Sequence, residues 1–303
     1  MSRPTVSVAV FAYNEEDRIA ACLDAIRACA EEARLRVHVL INGCTDGTER
    51  IVRGYRAPEI DLRPIVIRRG DKANAWNHYT HEVAPEEAAI HVFTDGDMRI
   101  GRGSIAGFLR TFDERPEAHG CAGLPASGRS RDAFREKLIR EREMAGNLYA
   151  VRGSCLMEFR RRNIRLPFGI FGEDGLVTTL IKWNLDTRGE RDDRRITACE
   201  TATFAYEPLS PFRLRDLRIY YKRKMRYAVR QQQANMLCPL LWESGVEAMP
   251  AHVVDLYRAH QNRMALRWNG LDTWFDWIAC RRIRHDIAAD DSVRQAERAH
   301  LYS

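Results

Sequence analysis

Short apolar, β-rich runs, separated by stretches of helical periodicity, fill the first hundred positions and restrict the chain to an alternating α/β fold. The runs cover residues 6–12, 37–41 and 90–94. They are apolar almost throughout, as strands covered on both faces of a parallel sheet must be. Between the first two, Ile19, Cys22, Leu23 and Ile26 recur at helical spacing. Glu15, Glu16 and Asp17 precede them, where a helix N-terminus favours negative charge, so the spacing predicts a helix within residues 15–34. A second helix is expected after Thr45-Asp46-Gly47-Thr48, and a strand over residues 64–67 leads to a helix over residues 72–81. Repeated strand-helix units of this kind predict a doubly wound, mostly parallel sheet with right-handed crossovers and ligands at the carboxyl ends of its strands.

Composition narrows the class without naming a function. The chain has 303 residues, 45% of them hydrophobic and 30% charged, with a formal charge of +6. It is too apolar for a disordered polymer and long enough for a sizeable core. No apolar run approaches the roughly 20 residues that span a bilayer. Residues 6–12 could imitate a secretion signal, but they run straight into Tyr13-Asn14-Glu15-Glu16-Asp17 with no cleavage-like segment; a buried strand and a cytoplasmic protein are expected. Eight scattered cysteines show no zinc-finger spacing and read as small buried hydrophobes in a reducing compartment. A mild basic excess without a dedicated motif argues against a nucleic-acid partner.

The pattern changes near residue 210, where Pro208, Ser210 and Pro211 follow a strand-like stretch over residues 201–206. The expected domains are therefore 1–210 and 211–303, the second largely helical and basic. Leu214, Leu217, Tyr221 and Met225 share one helix face, and Arg215, Arg218, Lys222 and Arg226 the other. Two readings stay open for residues 212–236: a helix lying on a membrane surface, or one packing its apolar face on the sheet domain with a solvated basic face. Residues 246–280 read as helical again.

Asp95-Gly96-Asp97 directly follows the apolar run 90–94. Two carboxylates one residue apart at the end of a parallel strand suit a hard divalent cation, which takes oxygen ligands at about 2.1 Å; Asp-Gly is equally an ordinary turn signal. Other segments accompany it in fixed order: residues 6–14 with Glu15-Glu16, then Asn42-Gly43-Cys44-Thr45-Asp46-Gly47-Thr48, Gly70-Asp71-Lys72-Ala73-Asn74-Ala75, and finally Gly172-Glu173-Asp174. Together they resemble the inverting glycosyltransferase family 2, over residues 4–210. The resemblance implies a GT-A fold and transfer of a sugar from a nucleotide-diphosphate sugar to an acceptor hydroxyl, assisted by Mn²⁺ or Mg²⁺.

By that resemblance Tyr13 lies against the nucleotide base, with the backbone of Phe11 and Ala12 touching it. Asn14, Glu15, Asn42, Asp46 and Gly96 belong to the nucleotide-sugar site, and Lys72 approaches a donor phosphate or ribose. Asp95 contacts the ribose or the metal, and Asp97 is the principal metal ligand. Asp174 and Glu173 are the catalytic acids, Asp174 being the base: an acceptor hydroxyl is a poor nucleophile until a carboxylate takes its proton. The segment Gly146-Asn147-Leu148-Tyr149-Ala150-Val151-Arg152-Gly153-Ser154 resembles the acceptor side, with Arg152 meeting a phosphate on a lipid-linked or small-molecule acceptor.

Departures from the family pattern bear on specificity. Ile41 stands where an acid is usual, and Cys44 replaces a serine. Uridine diphosphate is the first expectation for the carrier, but the base stays open. The Q-x-x-R-W motif of processive members has only Arg223-Lys224-Met225-Arg226-Tyr227 as a counterpart, which argues for a non-processive enzyme; Lys222, Arg223 and Arg226 could still close over the diphosphate. A dehydrogenase would need a G-x-G-x-x-G after the first strand, which is missing. A nucleotidyltransferase of similar fold and an inactive sugar- or lipid-surface-binding module are the remaining alternatives. His78, His81 and Glu82 read as surface residues rather than metal ligands.

Overall fold

The computed structural model describes residues 3–128, 130–206 and 214–301, with side chains from 214 onward described at 218 and 220–293. Pro208, Ser210 and Pro211, the expected boundary, and the side chains of Leu214, Arg215 and Leu217 lie outside the described residues.

The first compact unit comprises residues 1–165 and 173–208, the second residues 166–172 and 209–303. In the first, β1 (Thr5–Ala12), α1 (Ile19–Arg27), β2 (Arg34–Asn42), α2 (Thr48–Gly54), β3 (Asp61–Ile67), α3 (Lys72–His78) and β4 (Ile90–Asp95) alternate as expected. They are followed by β5 (Arg99–Ile100), α4 (Ser104–Glu114), β6 (Gly120–Pro125), α5 (Arg131–Glu141), β7 (Leu148–Arg152), α6 (Gly153–Arg161), α7 (Glu173–Lys182) and β8 (Ile196–Ala205). One sheet has the order β3-β2-β1-β4-β7-β6-β8-β5. The β3-β2-β1-β4 half is parallel, whereas β7 runs antiparallel to both β4 and β6. Helices 15–34 and 72–81 of the sequence reading are shorter in the structure: α1 starts at Ile19 after a loop, and α3 passes into a wider helical turn over Tyr79–Val83.

Both sheet faces are covered. Val6, Val8, Val10 and Ala12 join Ile19, Leu23 and Ile26 of α1 in the main cluster. On the opposite face Phe93 stacks on Tyr149 at 4.8 Å and lies near Phe11 and Trp76, with Tyr79 edge-on at 5.4 Å. Burying such rings contributes far more than local propensity, so the aromatic layer sets how α3 docks.

In the second unit, α8 (Leu214–Ser244), α9 (Val253–His260) and α10 (Leu271–Leu301) pack together. Met225, Ala228 and Val229 of α8 are buried with Phe275 and Ala279 of α10. That part of the basic helix therefore turns its apolar face to α10. Residues 246–280 are not continuously helical. Gln232 holds both the N–H and the carbonyl of Ala265 with its side-chain amide, and Arg267 pairs with buried Asp276, fixing a non-helical link ahead of α10. Among the described residues no helix is long and apolar enough to cross a membrane.

Beneath the sheet, Tyr79 Oη is 2.7 Å from both Ser7 Oγ and His91 Nδ1, and Ser7 Oγ is 3.2 Å from His38 Nδ1. Burial, reinforced by nearby arginines, lowers His91 to about 3 and His38 to about 4. The unfolded chain then takes up protons below about pH 6.5 while the native chain does not, so stability falls as pH drops toward about 4, at up to about 1.4 kcal/mol per pH unit for each histidine. Urea unfolding at pH 7.0 and 4.5 should show a smaller loss for His91→Gln than for the parent; an equal loss would remove His91 from the account.

Candidate active site

The carboxyl ends of β1, β2 and β4 meet at one sheet edge, and their loops are tied to one another before any ligand is considered. Phe11 O accepts from Gly96 N–H at 2.8 Å, and Ala12 O accepts from Cys44 Sγ–H at 3.3 Å. Asn14 has φ 55° and accepts from Thr45 N–H through Oδ1 at 2.8 Å. Asp46 accepts from Thr48 N–H, Thr48 Oγ1–H and Glu16 N–H, while Asn42 Oδ1 accepts from Asp71 N–H at 3.0 Å. Gly43 has φ 68°, and a Cβ there would lie 2.6 Å from Gly70 Cα, so the second and third loops approach too closely for a side chain. Tyr13 projects from this edge with 59% of its surface exposed.

Charge concentrates just beyond these loops. Lys72, opening α3, places Nζ 2.6 Å from Asp95 Oδ1 and 2.8 Å from Glu173 Oε1. Its Nζ also lies 5.4 Å from the Phe11 ring centre. Asp174, in the first turn of α7, accepts from Gly146 N–H at 2.8 Å through Oδ2 and from Gly175 N–H at 2.9 Å through Oδ1. A Cβ on Gly146 would sit 2.9 Å from Lys72 Nζ, so the close approach of this segment also depends on glycine. Arg18 pairs with Glu15 at 2.8 Å and reaches Asp97 at 3.5 Å.

These groups perturb one another. Burial favours a neutral Lys72 amine, but Asp95 and Glu173 outweigh it and hold the ammonium well above its ordinary range. Burial pushes the Asp95 carboxyl up, opposed by Lys72 and reinforced by Asp97 and Asp174. Burial likewise raises Glu173, and it raises Glu15 to about 7 with help from the charge of Asp97. Among the described residues the carboxyls of this cluster outnumber the cations Lys72 and Arg18, which is the electrostatic condition a divalent cation relieves. Among the described residues no three acidic, histidine or cysteine side chains form a ready metal cage. Asp95 and Asp97 supply hard oxygens suited to Mg²⁺- or Mn²⁺-type ions, which commonly take one or two carboxylates and complete their shell with substrate phosphates.

Not every expected site residue belongs here. Arg152 pairs with Ile90, at the opening of β4, and so stands at the opposite edge of the sheet from Asp95. Its guanidinium donates to the carbonyls of Phe112, Arg115 and Ala118, an internal role that corrects its assignment to a substrate phosphate. Asp46 and Asn42 fasten loops with the oxygens expected to meet the nucleotide, and Phe11 and Ala12 direct backbone carbonyls to protein partners. Glu173 is buried against Lys72. Arg18 was not singled out from the sequence and was signalled only by its i,i+3 spacing from Glu15, whereas Gly146 was named only as the first residue of the acceptor-side segment, without a contact to Asp174.

A curled, mostly parallel sheet with acids converging at the carboxyl ends of its strands is the architecture of the GT-A glycosyltransferases. The chain belongs to glycosyl transferase family 2, whose sequence profile matches residues 7–173. This decides between the glycosyltransferase and nucleotidyltransferase readings: the protein is a glycosyltransferase. Solved structures share the fold. A mannosyltransferase from Pyrobaculum calidifontis, PcManGT, solved with GDP-Man and Mn²⁺, is 22% identical with a TM-score of 0.60, the alignment covering 99% of this chain and 81% of the other. TarS 1–349 from S. aureus, solved with UDP-GlcNAc, is 16% identical with a TM-score of 0.53, covering 96% and 92%. Glucosyl-3-phosphoglycerate synthase from Mycobacterium tuberculosis, in complex with Mn²⁺, UDP-glucose and phosphoglyceric acid, is 18% identical with a TM-score of 0.50, covering 75% and 79%. No curated protein sequence matches the chain.

Removing the shared cation should be felt as lost stability. Lys72→Met leaves two carboxylates without their partner and should cost about 1–3 kcal/mol. Adding Glu173→Gln should recover part of that loss. Urea unfolding of the single and double variants checks this, and strictly additive losses would show that the pair is not coupled.

Proposed function

We propose that this protein is an inverting, metal-assisted, non-processive glycosyltransferase that moves a sugar from a nucleotide-diphosphate donor to an acceptor hydroxyl, with Asp174 as general base. The observation that carries the reading is the Asp174 carboxylate. It is held by two backbone N–H groups in the first turn of α7 and lies in the same cluster as Lys72, Asp95 and Glu173. These two N–H groups fix the direction in which the carboxylate points.

In the proposed step the acceptor oxygen attacks the anomeric carbon from the face opposite the diphosphate. The new carbon–oxygen bond forms as the bond to the phosphate oxygen breaks, the acceptor proton passes to Asp174, and the nucleoside diphosphate leaves with the electron pair. Asp97 and Asp95 would hold a divalent cation, which when bound neutralises charge on the diphosphate. Lys72 has three N–H donors, two directed at Asp95 and Glu173, and the third suits a donor oxygen. Exposed Tyr13 offers a face for the base to stack upon. Glu173 orients Lys72 and takes no part in proton transfer. The three solved relatives carry guanosine- or uridine-based donors, which supports a nucleotide sugar here and leaves the base to experiment.

A thermal-shift screen of uridine, guanosine, thymidine and cytidine diphosphates with and without Mn²⁺ would identify the carrier. With the matching sugar nucleotide, Asp174→Asn should retain donor affinity within about twofold yet lose about 10²- to 10⁴-fold in donor turnover, water serving as the acceptor where no other is known. Turnover near that of the parent would remove Asp174 as the base. Asp97→Ala should abolish the Mn²⁺-dependent part of donor affinity in calorimetry; an unchanged metal dependence would exclude it as a ligand.

A further inference from the structure

A cavity of about 160 Å³ opens in the sheet unit away from the acids just described, lined among others by His119, Ser154, Cys155, Arg162, Leu185 and Arg195. It belongs to the opposite sheet edge: His119 precedes β6, Ser154 follows β7 and Arg195 precedes β8. The backbone around it is fixed, because His119 N–H donates to Arg195 O at 2.8 Å and Arg152 N–H donates to His119 O at 2.9 Å.

The electrostatics of the lining are lopsided. Arg195 Nε and His119 Nδ1 are both buried with no hydrogen-bond partner among the described residues. The acids nearest Arg195 in sequence are engaged elsewhere, Asp192 with Arg194 and Asp193 with Arg191 and Lys182. Glu158, the one acid in the lining, is bound to Arg161 at 2.7 Å and to Arg162 at 3.3 Å. Burial pushes the Cys155 thiol up to about 12, so it carries no opposing charge near neutral pH. Burial, with Arg195 and Arg152, lowers His119, which is then a neutral imidazole able to donate one hydrogen bond. The first turn of α6 contributes Ser154 and Cys155, adding the positive end of a helix. Leaving a buried guanidinium nitrogen unpaired costs free energy, and an oxyanion is the ligand that removes the cost.

We propose that this cavity binds a compact phosphoryl group, free or carried on a small ester, anchored by Arg195 and seated against Ser154 and His119. Its volume holds several heavy atoms but falls below the roughly 300–1,000 Å³ of sites that enclose a drug-sized ligand, so a nucleoside diphosphate does not fit. The site is distinct from the proposed donor site, and it touches the same helix from the other end. Glu173 and Asp174 open α7, whereas Ile181, Asn184 and Leu185 line the cavity. The seven-residue step from Asp174 to Ile181 spans about 10 Å of helix.

The test uses the full chain in EDTA, which suppresses metal-dependent binding at the donor edge, at constant ionic strength maintained with chloride. Inorganic phosphate and glycerol phosphate are titrated separately while thermal unfolding is followed, the two arms distinguishing a free from an esterified phosphoryl group. A saturable rise in Tm is expected with at least one of them. Arg195→Gln should weaken it by at least about tenfold, the loss expected for a charge-assisted hydrogen-bonding partner. Ser154→Leu, at an exposed position, should block it by bulk if Arg195→Gln does not fold, whereas Asp97→Ala should leave it intact. No saturable shift in the parent, or an undiminished one in Arg195→Gln or Ser154→Leu, overturns the proposal without touching the donor-site reading.

Discussion

One ammonium group set between two carboxylates determines much of this site. Lys72 stands at the start of α3, Asp95 at the end of β4 and Glu173 at the start of α7, so the contacts at 2.6 and 2.8 Å join three segments far apart in the chain. A partly desolvated amine is tolerable only because two acids oppose its burial, and the acids in turn depend on it. The same contact sets where Asp174 can be. With Glu173 turned inward to Lys72, the following residue directs its carboxylate to the Gly146 N–H. The absence of a side chain at Gly146 lets that strand lead-in pass within reach of both.

The surrounding loops separate residues that build the edge from residues that face whatever binds there. Thr48, Asp46 and Glu16 close a ring of hydrogen bonds between the first and second loops, and Asn42 clamps the third. These polar groups have protein partners at ordinary distances, so the loops keep their shape without a ligand. Tyr13 is exposed at this edge, and Asp95 and Asp97 are half-buried beside Lys72 and Arg18; these are the residues expected to meet a nucleotide and a cation. An excess of carboxylates held near one another on such a scaffold is costly when empty and becomes favourable on binding a cation, a common arrangement where binding rather than stability sets the sequence.

Much of this was legible in the sequence because strands covered on both faces are apolar along most of their central positions, which marks the middles of β1, β2 and β4. Their carboxyl ends are then where a ligand must sit. What the linear pattern could not carry was strand direction. Residues 148–152 are apolar like the others, but β7 runs antiparallel to β4, which delivers Arg152 to the edge away from Asp95 and reverses its expected role. Short polar motifs were ambiguous for a related reason. Asp46 and Asn42 suit a ligand site as well as a turn, and only the third dimension shows that Thr48, Glu16 and Asp71 take their oxygens. In the helical unit, the interruption over residues 264–270 combines a local turn, Asn269-Gly270 with Gly270 at φ 60°, with a remote one, the amide of Gln232 holding Ala265, and only the first is written in the local sequence.

Glu173 and Asp174 show how neighbouring, chemically similar residues acquire different work. Successive positions on a helix point about 100° apart. At the first turn of α7 that rotation places one carboxylate against a lysine in the interior, with 7% of its side chain exposed, and leaves the other only partly buried. Burial makes Glu173 reluctant to ionise except beside Lys72, so its charge is committed to that partner. Asp174 is instead restrained through backbone N–H groups, which fix its direction. In the proposed mechanism the carboxylate restrained in this way meets the acceptor hydroxyl, and the lysine held by its neighbour meets the donor. The pair is therefore better understood as one device with two functions than as interchangeable acids.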